Sequence, residues 1–169
     1  IEQRTALVNQ LQAALYEYYP AALSAFEDWT SPAAWAFVAA FPTPQALTRA
    51  GRRKWENFLH AHRLWRPQTV PQRLDCFARA EQFCGNESVT AAKSLRAKTL
   101  VKLLDVLHRQ LQEYRKRIEA LFGQHPDHDL FGSLPGVGAS LGPRLAAEIS
   151  RLTEPGGPTA HALQCVAGT

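Results

Sequence analysis

The sequence predicts an all-α protein: a multi-helix bundle with one long coiled-coil-like helix and a helix-hairpin-helix-like element toward its C-terminal end. Three observations predict it. Apolar residues recur at steps of three and four, the spacing that builds one stripe on a helix. A hydroxyl residue followed by proline marks helix starts at Ser31-Pro32 and Thr43-Pro44. No stretch alternates apolar and polar residues with β-branched enrichment over a strand's length, and no internal repeat is visible.

Residues 1–19 predict one helix, because Ile1, Val8, Leu11, Leu15 and Tyr18 fall on a single stripe. Pro20 lacks an N–H and clashes with a preceding turn, so it kinks or ends that helix, and 21–27 resume as a short one. Ser31 and Pro32 open a short, very apolar helix over 33–41. Thr43 and Pro44 repeat the device for a helix to about Ala50. Gly51 separates that helix from 52–62, which is helical by Trp55, Phe58 and Leu59. Pro67 and Pro71 punctuate the next stretch. Leu74, Phe77, Ala78 and Phe83 then predict a helix ending near Gly85.

Asn86 or Ser88 caps the longest helix. Leu100, Leu104, Leu107, Leu111, Tyr114, Ile118 and Leu121 alternate steps of four and three, an a/d seam sustained for three heptads. Thirty-odd residues at 1.5 Å each make a rod of roughly 50 Å. Such a seam needs a partner helix, either residues 1–19 or a second copy of the chain. Gly123 and Pro126 end the rod. Two short helices, about 127–133 and 139–152, flank Leu134-Pro135-Gly136-Val137-Gly138. The expected organisation is a helical linker and bundle over 1–85, the long helix over 86–124, and a final region over 125–169.

A chain of 169 residues is one ordinary domain or two small ones. With 46% hydrophobic and 20% charged residues it is globular in composition, neither disordered nor collagen-like. No apolar run approaches the ~18 residues of a membrane span, and no secretory signal is visible. Cys76, Cys84 and Cys165 form no CxxC pair, which argues against a disulfide framework or a zinc site; a reduced, cytoplasmic setting is the expectation. Methionine is absent and the chain opens on Ile1, before which an initiator methionine is not normally trimmed. We therefore expect a piece of a longer protein, and the short apolar close at Val166-Ala167-Gly168-Thr169 agrees.

Nineteen Lys and Arg against fifteen Asp and Glu give a net charge of +4, which favours a polyanionic partner. The distribution says more. Arg49, Arg52, Arg53 and Lys54 crowd around Gly51, and His60, His62, Arg63 and Arg66 follow with Trp55 and Trp65 interleaved. Arg109, Arg115, Lys116 and Arg117 form a second cluster. Cations alternating with aromatics suit phosphate neutralisation plus base stacking. A solvated helix face with its tryptophans in the core is the competing reading. In the hairpin, glycines let a backbone approach phosphate, and Gly138 is expected to need a positive φ. The N–H groups opening the next helix point outward, and Arg144 adds charge nearby. A glycine-rich turn joining packed helices is the competing reading here. His108, His125, His128 and His161 have no metal-ligand spacing and read as structural.

The stretches RTALVNQLQAALYEYYPAAL, FPTPQAL, LPGVGASLGPRLAAEI and LQCVAGT resemble the insertion-sequence transposases that join a RuvC-like DEDD domain to a serine-containing C-terminal transposase domain, the bridge-RNA-guided recombinases. The resemblance is strongest at both ends and weakest over about 45–85. It implies that the acidic quartet precedes this segment and that the nucleophilic serine follows Thr169. None of Ser133, Ser140 or Ser150 matches that serine. The resemblance thus implies a helical middle segment without catalytic residues or a cofactor of its own. Divalent metal, Mg by expectation, belongs to the nuclease-like domain. Its partners would be DNA, guide RNA and a second copy through the helix from Leu100 to Leu121. Only Pro135, Gly136, Val137 and Gly138 and the helix after them carry over, as a nucleic-acid-contacting element. A non-enzymatic helix-hairpin-helix DNA-binding module and a helical protein-interaction scaffold stand as alternatives.

Overall fold

Nine helices and no strand make up the residues that the computed structural model describes: 2–83, 85–138 and 140–153. They are α1 (Glu2–Tyr18), α2 (Pro20–Ala25), α3 (Pro32–Ala40), α4 (Pro44–Ala50), α5 (Arg52–Ala61), α6 (Val70–Glu81), α7 (Glu87–Phe122), α8 (His128–Gly132) and α9 (Leu141–Thr153). The all-α class holds. No helix among the described residues is long and apolar enough to cross a membrane. The chain divides into two compact units, residues 1–108 and 109–169.

Local chemistry accounts for the boundaries. Pro20 begins α2 at its first position, where a missing N–H costs nothing. Ser31 Oγ accepts from the Ala33 amide (3.3 Å) to open α3, and Thr43 Oγ1 accepts from Ala46 (3.0 Å) to open α4. Asn86, not Ser88, caps α7: its Oδ1 accepts from Ser88 (3.0 Å) and Val89 (3.2 Å). Pro71 sits inside the first turn of α6 rather than outside the helix, because proline is tolerated there.

The first unit is built around aromatic rings. α3 is apolar on every side, and it buries Ala34, Trp35, Phe37 and Val38 while its ends at Pro32, Ala39 and Ala40 stay exposed. Phe37 is the hub: ring centroids of Phe26 and Trp55 lie 5.2 Å away, and those of Tyr19 and Phe41 lie 5.8 Å away. Val8, Leu11, Leu15 and Tyr18 bring the α1 stripe into the same core; Ile1 lies outside the described residues. From α7 come Ala97, Leu100, Val101 and Leu104. An ion pair from Lys93 to Glu17 ties α7 to α1, and a Trp35–His108 edge contact at 5.6 Å ties it to α3.

Arg73 is buried in this unit, a placement that sequence reading did not anticipate. Its guanidinium donates to the Ala25 carbonyl (3.3 Å), the Leu64 carbonyl and Thr69 Oγ1 (2.6 Å), and it lies 5.8 Å from the Phe26 ring. Desolvation, and then the neighbouring Arg66, lower its pKa. Its hydrogen bonds tie the end of α2 and the turn before α6 to the body of α6.

In the second unit α8 and α9 pack together, burying Phe131 and Ala146. Phe122 meets His128 at 4.8 Å. A Cβ on Gly142 would stand 3.0 Å from two atoms of the Phe122 ring, so glycine is what lets α9 lie this close.

Candidate nucleic-acid interface

Gly51 is where the first candidate surface is made. Its φ of 80° and ψ of 156° belong to a region open to glycine, and the same residue ends α4 and begins α5. A glycine cap has no side chain to offer, so the opening N–H groups of α5 have no side-chain acceptor. Arg52, Arg53 and Lys54 fill that first turn and are exposed. The positive end of a helix dipole favours anions, so three cations there oppose the usual arrangement. Arg52 is partly offset by an ion pair to Glu56 (2.8 Å). Arg53 and Lys54 make no ion pair among the described residues. Arg49 is exposed in the last turn of α4, where a cation suits the dipole. Beside them a cleft of about 470 Å³ is lined by Thr48, Gly51, Arg52, Phe77 and Glu81, among others.

The second candidate surface is the hairpin between α8 and α9. The Val137 amide donates to the Leu134 carbonyl (3.2 Å), and Gly136 has φ 81°. Proline then glycine at the two central positions, with positive φ at the glycine, makes a type II turn. The expectation of positive φ at Gly138 is therefore corrected: the demand falls on Gly136, two residues earlier, because that turn needs it at its third position. A Cβ on Gly138 would meet nothing within 4 Å. The Gly138 carbonyl accepts from Leu141 (3.0 Å) and Gly142 (3.3 Å) as α9 begins. Pro135, Gly136, Gly138 and Arg144 are exposed, and Val137 is half-buried.

The structure thus gathers Arg49, Arg52, Arg53 and Lys54 at one helix junction in the first unit, and Pro135 to Gly138 with Arg144 in the second. It separates the two tryptophans of the basic stretch. Trp55 is fully buried and donates through Nε1 to the Arg73 carbonyl (3.0 Å), whereas Trp65 stands exposed. Gly142 was missed, because nothing in the sequence marks which glycine a distant phenylalanine will press against.

His125, His128 and Ser133 have local partners. The His125 Nδ1 accepts from the Asp127 amide (3.2 Å), and the His128 ring lies 3.0 Å from Asp129 Oδ1. Ser133 Oγ donates to the Leu130 carbonyl (2.8 Å). Cys76 is buried, and desolvation pushes its thiol up to about 12. Cys84, Cys165 and His161 lie outside the described residues.

Over a 186-residue alignment the chain is 32% identical to a protein of Streptomyces coelicolor whose name marks it as a candidate mini-circle transposase for IS117. The match covers 98% of this chain and 41% of that protein, so the chain spans about two-fifths of its relative's length. No family profile matches the chain. No solved structure matches it either.

Proposed function

We propose that this chain is the helical middle segment of an insertion-sequence transposase, serving nucleic-acid contact and assembly in DNA transposition. The observation that carries the reading is the extent of the similarity: it runs through 98% of the chain rather than through one motif. In this reading the strand-exchange chemistry, the divalent metal and the serine nucleophile belong to other parts of the longer protein. The segment acts in the cytoplasm on DNA and on a guide RNA.

Two features support nucleic-acid contact. Uncapped N–H groups with Arg53 and Lys54, which among the described residues have no acidic partner as Arg52 has in Glu56, form a positive end of α5 that a phosphate would balance. The hairpin offers a type II turn with exposed backbone before α9, with Arg144 close by. The hairpin is also what favours the second reading, a helix-hairpin-helix DNA-binding module without a transposase around it.

Assembly uses the long helix. Leu100 and Leu104 are spent in the core of the first unit, while Tyr114, Ile118 and Leu121 of the same seam stay 60%, 49% and 61% exposed. A second copy would supply the same apolar face at the same heptad spacing.

Binding of duplex DNA and structured RNA across a salt series tests the nucleic-acid reading. If the α5 end touches phosphates, Arg53→Ala and Lys54→Ala each lower the salt slope by about one, with no change in sequence preference. Unchanged slopes in both folded variants would remove that surface. A serine closely following Thr169 in the full reading frame would favour the transposase over the isolated module.

A further inference from the structure

Three of the four tryptophans are core residues: Trp29, Trp35 and Trp55 are 3%, 2% and 0% exposed. Trp65 is 39% exposed, and the end of α5 determines where it stands. There the Leu64 amide donates to the Leu59 carbonyl (2.7 Å) and the Arg63 amide to the His60 carbonyl (3.0 Å). This paired reversal requires a left-handed residue just past the cap, usually glycine. Here it is Arg63, with φ 55°, the one non-glycine residue at positive φ among the described residues. An L-residue is strained in that conformation, so an arginine held there points to a use for its side chain.

The reversal lays the Trp65 indole on the His60 imidazole, with centroids 4.5 Å apart and planes 19° from parallel. The turn is held firmly. Leu64 is packed against the core, and its carbonyl accepts from the buried Arg73 guanidinium and from the Arg66 amide (3.0 Å). Arg53, Asn57 and His60 follow one another along a single face of α5, and all three are exposed. His62 and Arg63 are exposed next to them. Arg66 shares a cleft of about 350 Å³ with Glu27 and Asp28, which leaves Arg63 and Arg53 as the less balanced cations.

We propose that the His60–Trp65 stack is a platform for one unpaired nucleobase, with Arg63 and Arg53 meeting the phosphates of the same strand. The proposal rests on the nucleic-acid reading above and narrows it to single strands. A duplex keeps its base faces inside the stack, whereas a loop, an end or a displaced strand can present one to an indole. Every base has such a face, so the site would be tolerant of sequence.

Because Trp65 is the exposed tryptophan, intrinsic fluorescence reports on the platform directly. The 169-residue chain is titrated with twelve-nucleotide oligouridine, oligothymidine and a duplex of the same length. Both single strands should quench the emission and the duplex should not; the tighter of the two single strands identifies the source as RNA or DNA. Trp65→Ala, confirmed as folded by circular dichroism, should lose affinity for single strands by about tenfold or more. Trp65→Phe keeps a ring on His60, so it should bind within about threefold of wild type while the quenching disappears. Arg63→Gly relieves the strain and should lower the salt slope by about one.

A folded Trp65→Ala variant with wild-type affinity for single strands overturns the platform and leaves the α5 cluster standing. Single-strand binding by the wild type without quenching overturns it too, even if the alanine variant fails to fold. A wild-type chain that binds no single strand at low salt overturns the platform. If it binds neither duplex nor RNA, the nucleic-acid reading falls with it.

Discussion

One heptad seam runs down α7, yet its two halves have opposite fates. Leu100 and Leu104 lie in an aromatic core that also encloses Trp35, Phe37 and Val38 of α3. Tyr114, Ile118 and Leu121 continue the same spacing in the second unit and remain open to solvent. Periodicity fixes which face of a helix is apolar; it does not say what covers that face. The two units differ in the same way. The first buries the large side chains Trp35, Trp55, Tyr18, Tyr19 and Phe37 completely, whereas the described part of the second buries Phe131 and Ala146 between two short helices.

The largest expected effect sets the halves of the seam against each other. Leu104→Asp would place a charge where no water reaches, costing several kcal/mol, roughly 3–5. Urea unfolding followed by circular dichroism should show that loss. Tyr114→Asp with Leu121→Asp puts two charges on exposed positions and should change stability by no more than about 0.5 kcal/mol per site. If the exposed half pairs with a second copy, the same double variant should lower the mass measured in solution. Equal destabilisation by both sets would mean that this chain covers the lower half as well as the upper, and the contrast would collapse.

What was legible in the sequence follows from range. Caps and starts act over one turn, so the starts at Ser31-Pro32 and Thr43-Pro44 could be read directly; Asn86 and Ser88 stayed alternatives, and Pro20, read as the break in the first helix, also opens α2. The long helix was legible because its stripe is long. Trp55 and Trp65 were not separable, since both stand among cations and only the reversal at Arg63 turns one of them outward. Arg73 drew no notice in the sequence, because nothing local announces three acceptors converging from three segments. Positive φ was assigned to the wrong glycine of the hairpin. The type II turn depends on Pro135 preceding Gly136, a pairing visible in the sequence but not used.

A pH experiment sharpens the comparison on the side of the first unit. Burial raises the Cys76 thiol from 9.0 to about 12 and pushes Tyr18 and Tyr19 upward as well. A raised native pKa means that the unfolded chain releases its proton first. Stability from Cys76 is therefore complete below pH 9 and declines as pH rises toward 12. The loss is at most about 1.4 kcal/mol per pH unit for one group. Denaturant midpoints measured from pH 8 to 11 should fall, and Cys76→Ala should flatten the first part of that fall. A Cys76→Ala variant with the wild-type slope would show that the thiol does not titrate from a buried place.

The smallest effect separates the glycines of the second unit. Gly142 faces the Phe122 ring at a distance where a Cβ must displace something, 3.0 Å, and the neighbour is a side chain, which can yield. Gly142→Ala should therefore cost only about 1 kcal/mol, through overpacking. At Gly136 the space is open, and the obstacle is φ 81° instead. Gly136→Ala should cost a similar amount, about 1 kcal/mol, through backbone strain. Space is open at Gly138 too, and φ is not positive, so Gly138→Ala should leave the second unit as stable as wild type. Hydrogen exchange of α9 amides resolves losses of this size without unfolding the first unit. A hairpin whose role is packing alone tolerates Gly138→Ala in nucleic-acid binding as well as in stability. A hairpin whose backbone meets phosphate loses affinity with the fold intact. Equal loss of protection in all three variants would mean that neither the Phe122 contact nor the turn distinguishes these glycines.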